Sequence, residues 1–204
     1  MNVRSIIKMS PRTTEQFDEI RQRSRQRIMD AALELFGSIG YQTTSISKIA
    51  QVAGISKGLM YNYFGSKQEL LEAIIIAEAE EGAKWWHEIL ERDISPLEKI
   101  RQVTQKAAQE VRADIHHWRL LTSLAFQPEV LKNIEALIME KKAPLIQESI
   151  ELFTAVGVPD PEREAFYYGA VLDGMFLHYI TTGDAYPLDE MIEYSLQRYE
   201  RFAQ

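Results

Sequence analysis

Residues 54–67 read GISKGLMYNYFGSK, crowding two lysines, an asparagine, two tyrosines and a phenylalanine into fourteen residues. A core helix does not spend so many polar-tipped side chains in two turns, so these groups are expected to face something outside the protein. The neighbouring residues set the local frame. Thr44 or Ser45 is placed to cap a short helix carrying Ile49, Ala50 and Ala53, Gly54 breaks it, and Ser56 is placed to cap a second. Gly65 ends that one, and Ser66 opens a long helix with Glu69 three residues on as a capping box. Upstream, Ile28, Ala31, Ala32, Leu35, Phe36 and Ile39 recur on one face of a helix that Gly40 closes.

Two short helices around a glycine turn, with a longer helix on each side, match the requirements of a helix-turn-helix. The first helix needs a small residue where the second crosses it, here Ala50, and the turn needs one tolerant of positive φ, here Gly54. Ile49, Ala53, Ile55, Met60 and Phe64 supply the locking face, leaving Lys57, Gly58, Leu59, Asn62 and Tyr63 outward. Lys57 can reach a phosphate or a guanine edge, and Gly58 lets the backbone approach DNA. Asn62 can pair with an adenine edge or a phosphate. The hydroxyls of Tyr61 and Tyr63 suit phosphate oxygens, and Tyr63 has a packing role as its alternative. Thr44, Ser45, Ser56 and Lys67, at helix starts, stand where phosphate is favoured.

The chain of 204 residues carries a net charge of -7, which by itself argues against a polyanion partner. The average conceals an asymmetry. Residues 1–70 hold 10 Lys and Arg against 6 Asp and Glu, and the remainder holds 13 against 24. A basic first third on an acidic body fits one end meeting nucleic acid. Arg21, Arg23, Arg25 and Arg27 are either a solvated helix start or further phosphate contacts.

There is no cysteine, hence no disulfide framework or thiolate chemistry. The opening MNVRSIIKMSPRTTEQ lacks the apolar core of about 7–15 residues found in a secretory signal, and no apolar run approaches the roughly 18 residues of a membrane span. A cytoplasmic protein is expected. HEILE at 87–91 is not a zinc-binding H-E-x-x-H, and no nucleophile-elbow signature occurs, so neither metal, cofactor nor enzymatic activity is expected.

Beyond residue 66 the chain reads as further helices. Pro96 and Pro128 start two, and Pro144 sits inside or near the start of a third with a kink. Residues 156–162 form a loop, Pro161 begins the next helix, and Leu188, Met191, Ile192, Ser195, Leu196, Tyr199 and Phe202 mark the last. The expectation is an all-α protein: an arm over 1–16, a helix-turn-helix domain over 17–66 with its motif at about 45–64, and a helical effector and dimerisation domain over 67–204.

Residues 24–75 resemble the N-terminal domain of the TetR family of bacterial transcriptional repressors. The signature A-G-[IV]-S-x-G-x-x-Y-x-[YH]-F-x-x-K-x-x-L is met at every position from Ala53 to Leu70. The resemblance covers about the first third of the chain. It implies a homodimer on palindromic double-stranded DNA and a small-molecule effector in the second domain. On that reading the last two helices pair between protomers, with Gly169, Ala170 and Gly174 permitting close approach and Leu196 and Tyr199 contributing. Trp86, Trp118, Phe126, Tyr168, Asp173 and Phe176 are candidates for the effector pocket, against the alternative of ordinary core aromatics. Asp173, in an apolar helix, calls for Arg119, His178 or a cationic ligand unless it is exposed. An effector-independent DNA-organising or protein-interaction factor is the alternative function, and a body without a ligand-sized cavity would favour it.

Overall fold

The computed structural model describes residues 14–202, and these form an all-α protein. Most of the arm expected over 1–16 lies outside the described residues, while helix α1 (Thr14–Ile39) already includes its last three positions. α1 buries Ile28, Ala31, Ala32, Leu35 and Phe36 as their spacing requires. Ile39, expected on the same face, is exposed, because the chain turns away at Gly40 with φ of +95°.

α2 (Ile46–Val52) and α3 (Lys57–Met60) follow, then the long α4 (Lys67–Leu90). Ser45 caps α2 through the Lys48 N–H at 3.2 Å, and Ser56 caps α3 through the Leu59 N–H at 3.1 Å. At the start of α4, Ser66 Oγ accepts from the Glu69 N–H, but the Glu69 carboxylate takes the Gly65 N–H at 2.7 Å instead of that of Ser66. The capping box therefore closes one residue further upstream than expected.

The body consists of α5 (Pro96–Ala113), α6 (Ile115–Ala125), α7 (Pro128–Val156), α8 (Pro161–Thr182) and α9 (Leu188–Glu200). A short 3-10 turn at Gly183–Ala185 precedes α9. α6 is a separate helix because Asp114 breaks out of helical geometry and caps it, accepting the His117 N–H at 2.9 Å. The helices expected at Pro128 and Pro144 are one. Pro144 lies inside α7, where it has no N–H to offer the carbonyl four residues back.

Two cores hold these elements. The first gathers Phe36, Ile49, Met60, Phe64 and Leu70 with Leu120 and Leu124 of α6 and Val130 and Ile134 of α7. It therefore runs across residue 66, where the sequence suggested a domain boundary. Phe36 is fully buried there, and its truncation to alanine would cost about 3–5 kcal/mol.

The second core joins α5, α7, α8 and α9 around Phe153, Tyr168 and Tyr199, whose ring centroids lie 5.1–5.7 Å apart. Tyr168 and Thr104 share a buried hydroxyl contact of 2.5 Å, and burial pushes the Tyr168 phenol up to about 12. Tyr199 donates to Glu164 at 2.6 Å, and burial together with that carboxylate raises its pKa as well. Leu196 and Tyr199, expected at a dimer interface, are only 0% and 1% exposed and belong to this core. Their side of α9 is consumed within the protomer.

Candidate DNA-binding interface

The turn between α2 and α3 is made by Gly54, whose φ of +70° would strain any residue with a Cβ. Met60 and Phe64 then anchor α3 inward at 0% and 1% exposure. That register leaves Lys57, Gly58, Leu59, Tyr61 and Asn62 exposed on one surface. No protein group takes the Lys57 ammonium, the Asn62 amide or the Tyr61 hydroxyl among the described residues, and open space lies beside Gly58. Tyr63 is half-buried against the first core, the packing position that was its alternative.

The capping oxygens of Ser45 and Ser56 are occupied by their own helices, though both residues remain exposed beside the outward face. Two other expected DNA contacts are turned inward. Thr44 is buried and its hydroxyl donates to the Gly40 carbonyl at 2.8 Å. Lys67 directs its ammonium at the carbonyls of Tyr41 (2.7 Å), Thr44 (3.0 Å) and Gln42 (3.4 Å), and lies 4.4 Å from the centre of the Tyr41 ring. Burial lowers its pKa from the ordinary lysine value. It ties the loop before α2 to the start of α4 and so positions the motif.

Sequence reasoning passed over Lys48. It is exposed on α2, its ammonium has no partner among the described residues, and its signal was a second cation inside the motif. The arginines of α1 divide. Arg25 packs 5.0 Å above the Phe64 ring, Arg23 pairs with Glu19 at 3.6 Å and Arg27 reaches Ser24 at 3.4 Å.

The interface is fastened to the body chiefly through α6. Gly37 of α1 crosses α6 so closely that a Cβ there would lie 2.8–2.9 Å from Leu120 atoms, its Cα included. Ser123 donates to the Gly37 carbonyl at 2.8 Å, and His116 meets Glu34 at 2.9 Å. Just beyond α6, Gln127 accepts the Tyr41 N–H at 2.7 Å and donates to the Phe36 carbonyl at 2.8 Å. Residues 116, 120, 123 and 127 stand at helical spacing on the side of α1.

The other side of α6 faces a cavity of about 740 Å³ between α4, α5, α6 and α8, lined in part by Trp118, Phe126, Asp173 and Phe176. A second cavity of about 290 Å³ is lined by Trp86, Tyr168, Asp173 and Phe176, among others. All six residues expected around an effector thus border one cavity or both. Asp173 is exposed at their junction. Neither expected partner reaches it, since Arg119 donates to the Ile180 carbonyl at 2.9 Å and His178 stacks on Tyr186.

A glycine-turned helix pair with an uncommitted polar face, mounted on a larger helical body, defines a helix-turn-helix DNA-binding protein. Residues 28–74 match the family model described as bacterial regulatory proteins, tetR family. The chain is 29% identical over 155 residues to the uncharacterized HTH-type transcriptional regulator YhgD of Bacillus subtilis (strain 168), covering 70% of this chain and 76% of that one. With the HTH-type transcriptional regulator BetI of Rhizobium meliloti (strain 1021) it shares 26% over 159 residues, 75% of this chain and 76% of the relative. The fold is similar to that of NalD, the secondary repressor of the MexAB-OprM multidrug efflux pump in Pseudomonas aeruginosa. The TM-score is 0.73 at 21% identity, over 89% of this chain and 97% of the other. Residues 28–74 thus carry a DNA-binding domain of the tetR type, and the chain is similar over most of its length to HTH-type transcriptional regulators. Among the described residues no helix is long and apolar enough to cross a membrane.

Proposed function

We propose that this regulator is a repressor that binds a palindromic operator as a homodimer in the bacterial cytoplasm and is released by a small molecule held in its body, with no enzymatic step. The observation that carries this reading is the double use of α6, which lines the larger cavity with one face and holds α1 with the other. A ligand that prefers a shifted α6 moves α1, and with it α2 and α3, relative to the body. It changes DNA affinity only by the ratio of its affinities for the two arrangements. α4 runs directly from the motif into the body, and α6 supplies a second connection. A body with cavities of this size also speaks against the effector-independent alternative.

For pairing, α8 offers Phe166 and Ala170, both exposed, and α9 offers Tyr194, 69% exposed, while Gly169, Gly174 and Leu177 border the cavities. Apolar residues at helical spacing on an uncovered face favour a helix-to-helix partner. In such a dimer the two copies of α3 fall one DNA turn apart, about 34–36 Å. Lys48 and Lys57 then meet phosphate, Tyr61 sets register, and Asn62 reads a base edge.

The test is fluorescence-anisotropy binding to duplexes from the regulator's own promoter region, with a scrambled duplex and a salt titration. Selective binding is expected, and changing Lys48 or Lys57 to alanine should each reduce the slope of log K against log salt by about 1. Binding that does not distinguish the duplexes would refute operator recognition there, and an unchanged slope would remove that lysine from the phosphate contacts.

A further inference from the structure

We infer that the larger cavity takes an aromatic or otherwise lipophilic organic cation, an inference that rests on reading the body as the effector site. The walls carry Trp85, Trp118, Phe126 and Phe176, and Phe126 is 69% exposed, an apolar side chain with no protein surface over it. The Trp118 N–H is committed to the Glu110 carbonyl at 3.1 Å, which fixes the indole against the wall. Aromatic faces of this kind attract cations through the ring quadrupole, most strongly when water is excluded.

The charge lining the cavity is one-sided. Among the described residues Glu78, Glu81, Glu110, Asp114 and Asp173 border it, while neither lysine nor arginine does, and His117 is the one basic side chain. Three of these acids are occupied within the protein: Glu78 by His117 at 3.1 Å, Glu110 by Lys106, and Asp114 as the cap of α6. Glu81 and Asp173 have no ion pair or hydrogen bond among the described residues. An apolar aromatic cavity does not need carboxylates in order to exclude water. Two uncompensated carboxylates beside four aromatic rings make it hospitable to a positive charge with apolar substituents and repel an anion of the same shape. The smaller cavity differs in charge, since Lys142 lines it as well as Asp173.

The test uses two probes of the same size and shape and opposite charge, tetraphenylphosphonium and tetraphenylborate, titrated into the full-length protein without DNA. Binding is read by calorimetry and by tryptophan fluorescence. The phosphonium is expected to bind and the borate to bind at least about tenfold more weakly. The Glu81→Gln, Asp173→Asn double variant, checked for folding by its circular-dichroism melt, should lose about tenfold or more toward the phosphonium and none toward the borate. Equal binding of the two probes, tighter binding of the borate, or no binding of either would overturn the assignment. An equal loss of both probes in the double variant would assign the effect to cavity shape and would overturn it too. Because these titrations contain no DNA, failure of the repressor reading appears separately, in the promoter-binding assay on the wild-type protein.

Discussion

Replacing Gly37 by alanine probes the crossing of α1 and α6, where coupling between body and DNA-binding unit is proposed to run. An ideal Cβ at this position lies 2.8 Å from Leu120 Cδ2 and 2.9 Å from Leu120 Cα and Cβ. Carbon atoms rest about 3.5–4.0 Å apart, so the new methyl is short of room by at least about 0.6 Å. A rotamer change frees Cδ2 but not the backbone Cα, and the helices themselves must separate. Overpacking of this kind costs about 1–3 kcal/mol. Against it stands the gain from alanine in a helix interior, about 1 kcal/mol relative to glycine. The net is a loss of up to about 2 kcal/mol, lowering Tm by up to roughly 4–8 °C in a chain of this size. Urea and thermal unfolding measure it directly. Leu120→Ala in the Gly37→Ala background removes Cδ2 but keeps Cα and Cβ at 2.9 Å, so it should not restore the loss, and a double-mutant cycle should show little coupling. A Gly37→Ala protein about 1 kcal/mol more stable than the parent would reveal only the propensity term and would refute the close crossing.

Three further outcomes are expected. Lys67→Met removes the shared donor of the Tyr41, Gln42 and Thr44 carbonyls, of which Tyr41 keeps only the Thr44 N–H at 3.3 Å, and should cost about 1–3 kcal/mol. Its operator affinity should fall with the salt slope unchanged, and a slope reduced by about 1 would return Lys67 to the phosphate contacts. The Glu78 hydrogen bond raises the His117 pKa above its ordinary value despite burial, so its contribution to stability is complete below about pH 6.5 and is lost as pH rises through the higher folded-state value. Thermal melts across that window should decline more steeply for the parent than for His117→Gln, and parallel curves would sink the linkage. Ala170→Arg places a charge on the outer side of α8 and should give monomers by sedimentation velocity, whereas an intact dimer would move the interface elsewhere.

The helix-turn-helix was legible because its signals are local. A serine cap acts on an N–H three residues away, and a positive φ at Gly54 or an apolar repeat through Phe36 is decided within one or two turns. The same local logic found the residues now seen around the two cavities, since aromatics and Asp173 at inward or rim positions follow from helix periodicity. It erred where a local cue had two continuations. Pro144 lies inside a helix, one of the two places the sequence allowed, but it is the helix that Pro128 starts, since α7 continues through it for twelve further residues. Leu196 and Tyr199 looked like interface because an amphipathic helix does not say which neighbour covers its apolar side.

Local pattern was enough for the helix-turn-helix unit, its glycine turn and the outward placement of Lys57, Gly58, Leu59 and Asn62. That Thr44 and Lys67 turn inward, that Lys48 joins the outward surface, and that α6 stands between cavity and α1 came from the packing of distant segments. The reason is distance along the chain. Ser123 meets Gly37 across 86 residues and Lys67 meets Tyr41 across 26, and no local preference encodes which remote carbonyl a donor will find. That choice is made when packing brings the helices together and puts partners within reach of each buried polar group.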